Sequence, residues 1–137
     1  MKKEEILKQL FDNDRVVTTV DLGKGSPKVE LGTISYEQQL ELEAYLTSLK
    51  DEDLSGRAVL QKYALKMLSF SITSWGKTKF DHPDQWEMFL QEKPSILIDK
   101  LVSEHQKFDK KVREALTLED IEETFFPKEG PPAESKQ

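Results

Sequence analysis

RAVLQKYALKMLSFSITSWGKTKF, residues 57–80, is the longest weakly charged apolar stretch of the chain. Projected at about 100° per residue, Leu60, Ala64, Met67, Leu68 and Trp75 share one arc, with Tyr63 and Phe70 on one flank and Leu65 and Ile72 on the other. Only Lys62, Lys66, Ser69 and Thr73 make a polar stripe. A surface helix buries a stripe roughly 100° wide, so apolar groups spread this far around the cylinder predict a central helix with neighbours on several sides. The helix is expected to run to Trp75 and to stop at Gly76, inside a mostly α protein.

Towards the C-terminus, Lys77 to Phe80 is short and reads as extended. Asp81-His82-Pro83-Asp84 then reads as a helix entry, since proline is tolerated at the first helical position and carboxylates favour the positive end of the helix dipole. Trp86, Phe89 and Leu90 would point inward from that helix. After the break Lys93-Pro94-Ser95, a long helix is expected from Ile96 to Leu116. Leu97, Leu101, Phe108, Val112 and Ala115 align along it, Ile98, His105 and Leu116 lie beside them, and Lys100, Lys107, Lys110, Lys111 and Glu114 occupy the opposite, solvated side. Thr117 would cap a last short helix, TLEDIEETFF, ended by Pro127. Residues 127–137 lack a large apolar group to fold around and read as a disordered tail.

Towards the N-terminus, Ser35-Tyr36-Glu37-Gln38 is a capping box that opens a helix to about Lys50. Leu42, Tyr45, Leu46 and Leu49 make its inward stripe, while Leu40 and Ala44 face the other way. Before it, Val16-Thr18-Val20-Leu22 alternates with Val17-Thr19-Asp21, and Val29 alternates with Leu31 after Gly23-Lys24-Gly25-Ser26-Pro27. The pattern is a β-hairpin within residues 15–34. Residues 1–14 hold a short helix with Ile6, Leu7, Leu10 and Phe11 on one side. A helix this short is marginal alone, so that side must dock on the domain or on a partner. The expected organisation is therefore the short helix, one helical domain over 15–126, and the tail.

With 137 residues, one domain is the natural expectation. The formal charge of −6, from 26 acidic and 20 basic residues, opposes a nucleic-acid backbone unless the cations cluster, and here most lysines stand among carboxylates. No cysteine is present, which excludes disulfides, thiolate metal sites and a cysteine nucleophile. The lack of a signal-like or membrane-length apolar run leads to the expectation of a soluble intracellular protein with no membrane partner.

Few residues invite a chemical reading. Gly23-Lys24-Gly25-Ser26 lacks the upstream glycine and the following helix of a phosphate loop, and reads as a hairpin turn. Asp81, His82 and Asp84 are explained by the helix entry without a metal. His105 sits on an apolar helix side, where a lone histidine is usually an interior residue, and no serine or aspartate stands in a triad relation to it. Trp75 and Trp86 read as core residues, with exposed interface anchors as the alternative. The acidic cluster Glu119, Asp120, Glu122 and Glu123 beside Ile121, Phe125 and Phe126 reads as a capped helix or as a short docking element. No catalytic, cofactor or metal residue is expected, and an enzyme ranks last among the function classes.

The order of features from Lys28 to Leu116 resembles the tail assembly chaperones of long-tailed bacteriophages. The similarity lies in the helix start at Leu31 to Gln38, in the turn Ser74-Trp75-Gly76, and in the Pro-started helix from Pro94 to Phe108. The resemblance implies an α-rich protein that binds the long helical tape measure protein in the host cytoplasm before the tail tube polymerises, and that is then displaced. It also implies that a frameshifted product with an added C-terminal domain occurs in many members. A small acidic protein with a complementary apolar surface can cover the apolar faces of such a chain while keeping the complex soluble. The expected partner surface comprises Leu40, Ala44, Tyr63, Met67, Phe125 and Phe126, with self-association as a further expectation; methionine suits such a surface because its thioether adapts. The competing expectation is a structural tail or baseplate component, which purified particles would contain at stoichiometric level.

Overall fold

In the computed structural model, residues 2–13 and 15–117 are described. They form a mostly helical domain in which α1 (Lys3–Asn13) is followed by β1 (Val17–Asp21), β2 (Lys28–Gly32), α2 (Tyr36–Lys50) and α3 (Gly56–Ser71). The remaining elements are β3 (Ile72–Trp75), α4 (Pro83–Gln91) and α5 (Ser95–Ala115). The mostly α class and the N-terminal hairpin are as expected. The third strand is not.

β1 and β2 pair antiparallel with Val20 opposite Val29 and Thr18 opposite Leu31, so the alternation read from the sequence puts one apolar row against the helices. Gly23 and Gly25, at φ 125° and 83°, supply the backbone that the connecting turn needs. Central strand β2 also pairs antiparallel with β3, giving the order β1-β2-β3 with an irregularity between Glu30 and Leu31. Helix α3 therefore ends at Ser71, four residues earlier than its periodicity predicts. Ile72 and Thr73 are β-branched and crowd a helix turn, whereas in a strand they gain the hydrogen-bond ladder of β2. Gly76 acts as the turn residue after β3 instead of a helix stop: at φ 60° it lets Trp75 exchange backbone hydrogen bonds with Thr78 at 3.0 and 2.9 Å.

The helix starts follow their sequence signals. Ser35 accepts from the Gln38 N–H at 3.1 Å, and the Ser35 N–H donates to Gln38 Oε1 at 3.1 Å, which completes the capping box of α2. Ser55 caps α3 by accepting from the Ala58 N–H. His82 precedes α4, with Pro83 at its first position and the His82 N–H donating to Gln85 Oε1.

The main core joins Val20, Val29, Leu31, Leu42, Met67, Leu68, Phe70, Ile72, Trp75, Trp86, Leu90 and Leu101. Trp86 meets Phe80 and Phe89 edge-on, at centroid distances of 4.8 and 5.5 Å, so both tryptophans serve packing. A second cluster gathers Ile6, Val16, Phe108, Val112 and Ala115 with Leu10 against it. Helix α1 thus docks on α5, and burying Ile6 contributes roughly 2 kcal/mol to holding a helix too short to persist alone.

Arg15 ties these parts together. Its Nε–H donates to the Thr33 carbonyl at 3.0 Å, and its Nη2 donates to the carbonyls of Phe70 and Ser71 at 3.0 and 3.1 Å. A cation is thereby placed on the negative end of α3, where the last carbonyls lack helical partners. Burial lowers the pKa of Arg15 from its usual value, opposed by the nearby charge of Glu30.

Candidate functional site

The first turns of α3 run beyond the core and face the start of α5 across an open trough of about 490 Å³. From α3 come Arg57, Leu60, Gln61, Ala64 and Leu65; from α5 come Ser95, Ile98, Asp99 and Val102. Leu90, Gln91 and Lys93 close the side formed by the end of α4. Each set follows the spacing of adjacent helical turns, so the trough runs along roughly two turns of both helices, about 10 Å. Its floor is apolar, and Leu60 is 67% exposed. A volume of this order falls in the usual range of binding clefts.

Three charged residues, Arg57, Lys93 and Asp99, are among the described lining residues of the trough. Arg57 is exposed at the first turn of α3 and makes no ion pair with a described residue. Lys93 has its ammonium over the ring of Phe89, 4.3 Å from the centroid, and 5.1 Å from that of Trp75, which holds its position by cation–π attraction. Asp99 is the one carboxylate among the described lining residues. The chain as a whole carries −6, yet the described lining residues have two cations against that carboxylate.

The partner surface expected from the sequence is only partly assembled. Leu40, at 49% exposure, and Ala44 stand on the outer side of α2, as their angular position predicts. Tyr63 is half-buried against the main core. Met67, expected at the surface, is 8% exposed and belongs to the core, packed in the main cluster with the other buried residues of the C-terminal half of α3. Phe125 and Phe126 lie outside the described residues. In the other direction, Leu60 was expected in the core arc and is open to solvent. The sequence reading missed the trough of Leu60, Ala64, Leu65, Ile98 and Val102. One signal for it existed: the apolar arc of the segment beginning at Arg57 is wider than one packing face needs, and Ile98 and Val102 form an i, i+4 pair beside the inward row of α5.

The remaining candidates have structural placements. His105 is buried, with its ring 6.4 Å from that of Phe108, and burial lowers its pKa, partly opposed by Asp109. Among the described residues, no three histidine, aspartate or glutamate side chains gather as a metal site would require. Lys66 bridges α3 to α4 by pairing with Glu87 at 3.4 Å, and its ammonium also lies over the rings of Tyr45 and Phe70. Among the described residues, no helix is long and apolar enough to cross a membrane.

Compared with protein-family models, with curated proteins and with solved structures, the chain gives no match.

Proposed function

We propose that this chain is a tail assembly chaperone of a long-tailed phage or prophage, which covers apolar helical faces of the tape measure protein in the host cytoplasm before tail tube polymerisation. One observation carries the reading: the α3–α5 trough leaves Leu60, Ala64, Leu65, Ile98 and Val102 lining an open apolar channel on a protein of high net negative charge. Apolar surface of this kind binds the exposed stripe of a second helix, and the net negative charge of the chain keeps the resulting complex in solution. Leu40 and Ala44 add a separate apolar spot on α2. A modest patch on each of many copies also permits release when the tube displaces the chaperones, which a single tight clamp would prevent.

Co-expression with a candidate tape measure protein tests the function. The soluble fraction of that protein rises when this chain is present. An unchanged soluble fraction refutes the reading, and stoichiometric amounts of this chain in purified particles replace it with that of a structural tail component.

A further inference from the structure

We infer that the α3–α5 trough receives a single helix whose apolar stripe is flanked by carboxylates, an inference that rests on the chaperone reading and specifies the chemistry it selects. The shape comes first. Leu60 and Ala64 on α3 and Ile98 and Val102 on α5 are i, i+4 pairs, so the trough is a channel between two helix surfaces with a ridge on either side. A third helix laid along it presents side chains at the same i, i+4 spacing and reaches both walls. The channel is open along its length, so it does not enclose a small molecule as a cofactor cavity would.

Charge then selects among helices. Arg57 and Lys93 stand at the trough, and among its described lining residues Asp99 is the one carboxylate, in a chain of net charge −6. Arg57 is exposed without an ion-pair partner among the described residues, and the Lys93 ammonium is fixed over two rings at the α4 end. Carboxylates bordering an incoming apolar stripe meet these cations at the rim, while lysines in the same places are repelled. Rim charges of this kind set orientation and selectivity, and the floor supplies affinity.

The test uses the full chain and two fluorescein-labelled helical peptides of about 18 residues, long enough to fill the channel. They share one leucine stripe and differ only in flanking it with glutamates or with lysines. Fluorescence anisotropy is expected to show the glutamate peptide binding about fivefold more tightly than its lysine twin, the size of effect that rim charges give. Leu60→Asp is expected to weaken the glutamate peptide about tenfold or more, and Arg57→Glu to reduce or reverse the preference between the twins. Both residues are exposed, so both variants keep the fold, as far-UV circular dichroism would check. Equal binding of the twins overturns the inference. So does unchanged binding by Leu60→Asp, and so does concentration-dependent self-association that Leu60→Asp abolishes, since a second copy is then the occupant. Co-expression separates this inference from the function itself: if Leu60→Asp solubilises the tape measure protein as well as the wild type does, the trough is refuted and the chaperone reading stands. If the wild type fails there, the chaperone reading falls and the peptide titration still decides the trough.

Discussion

Replacing Arg15 with alanine removes three hydrogen bonds at once: to Thr33 after β2 and to Phe70 and Ser71 at the end of α3. These donors are charged, but the side chain is only partly buried, so about 1 kcal/mol each is reasonable, or about 3 kcal/mol in all. For a chain of this size such a loss lowers Tm by about 10–15 °C. The structure also offers a second way to break the same contact. A Cβ on Gly32 would overlap Arg15 Nε and lie 2.8 Å from Cζ, while the backbone of Gly32 has no left-handed φ that an alanine would resist. Gly32→Ala must therefore push the guanidinium out and cost about as much as Arg15→Ala. Once Arg15 is gone, the space is free, so Gly32→Ala in the Arg15→Ala background should add less than about 1 kcal/mol. Urea unfolding of the wild type, both single variants and the double variant measures the four corners of this cycle. Additive losses, or an Arg15→Ala variant within about 0.5 kcal/mol of the wild type, would refute the claim that this side chain joins β2 to α3.

Other expectations concern separate parts of the fold. His105 is held neutral by burial, so its folded pKa lies below the unfolded value of about 6.5. The unfolded chain then binds more protons as pH falls below about 6.5, and this site's contribution declines from there until the folded pKa is passed. Urea unfolding at pH 7.5 and at pH values below about 6 should show a smaller loss for His105→Leu than for the wild type; equal losses would contradict the assignment. Ser35→Ala should cost about 1 kcal/mol through loss of the α2 cap, read as a lower urea midpoint with an unchanged slope. Trp86→Ala, which removes the ring that packs edge-on against both Phe80 and Phe89, should cost about 3–5 kcal/mol and be visible as a large drop in Tm by calorimetry. Gly76→Ala combines a φ of 60° with a Pro27 Cβ 3.0 Å away, and should destabilise by about 1–2 kcal/mol on thermal unfolding.

Local signals in the sequence determined much of the architecture. The capping box at Ser35, Pro83 at the head of α4, the break at Pro94 and the alternation of Val20 with Val29 across a glycine-rich turn each act within a few residues. Their consequences appear in the fold because the competing long-range terms agree with them. The buried row of α5, with Leu101, His105, Phe108, Val112 and Ala115, was likewise legible, since helical periodicity sorts inward from outward positions without knowing the neighbour.

What lies at the surface of α3 was decided elsewhere. Ile72 to Trp75 continues the helical pattern of the segment, yet pairs with Glu30 and Val29 because β2 happens to offer an open edge there, and no local preference reports the presence of that edge. Met67 and Leu60 share an arc on the helix, one covered and one open, because the neighbouring elements cover the C-terminal half of α3 and leave its first turns bare. Periodicity gives angle around a helix axis; exposure also depends on position along it, and that coordinate exists only once the helices have packed.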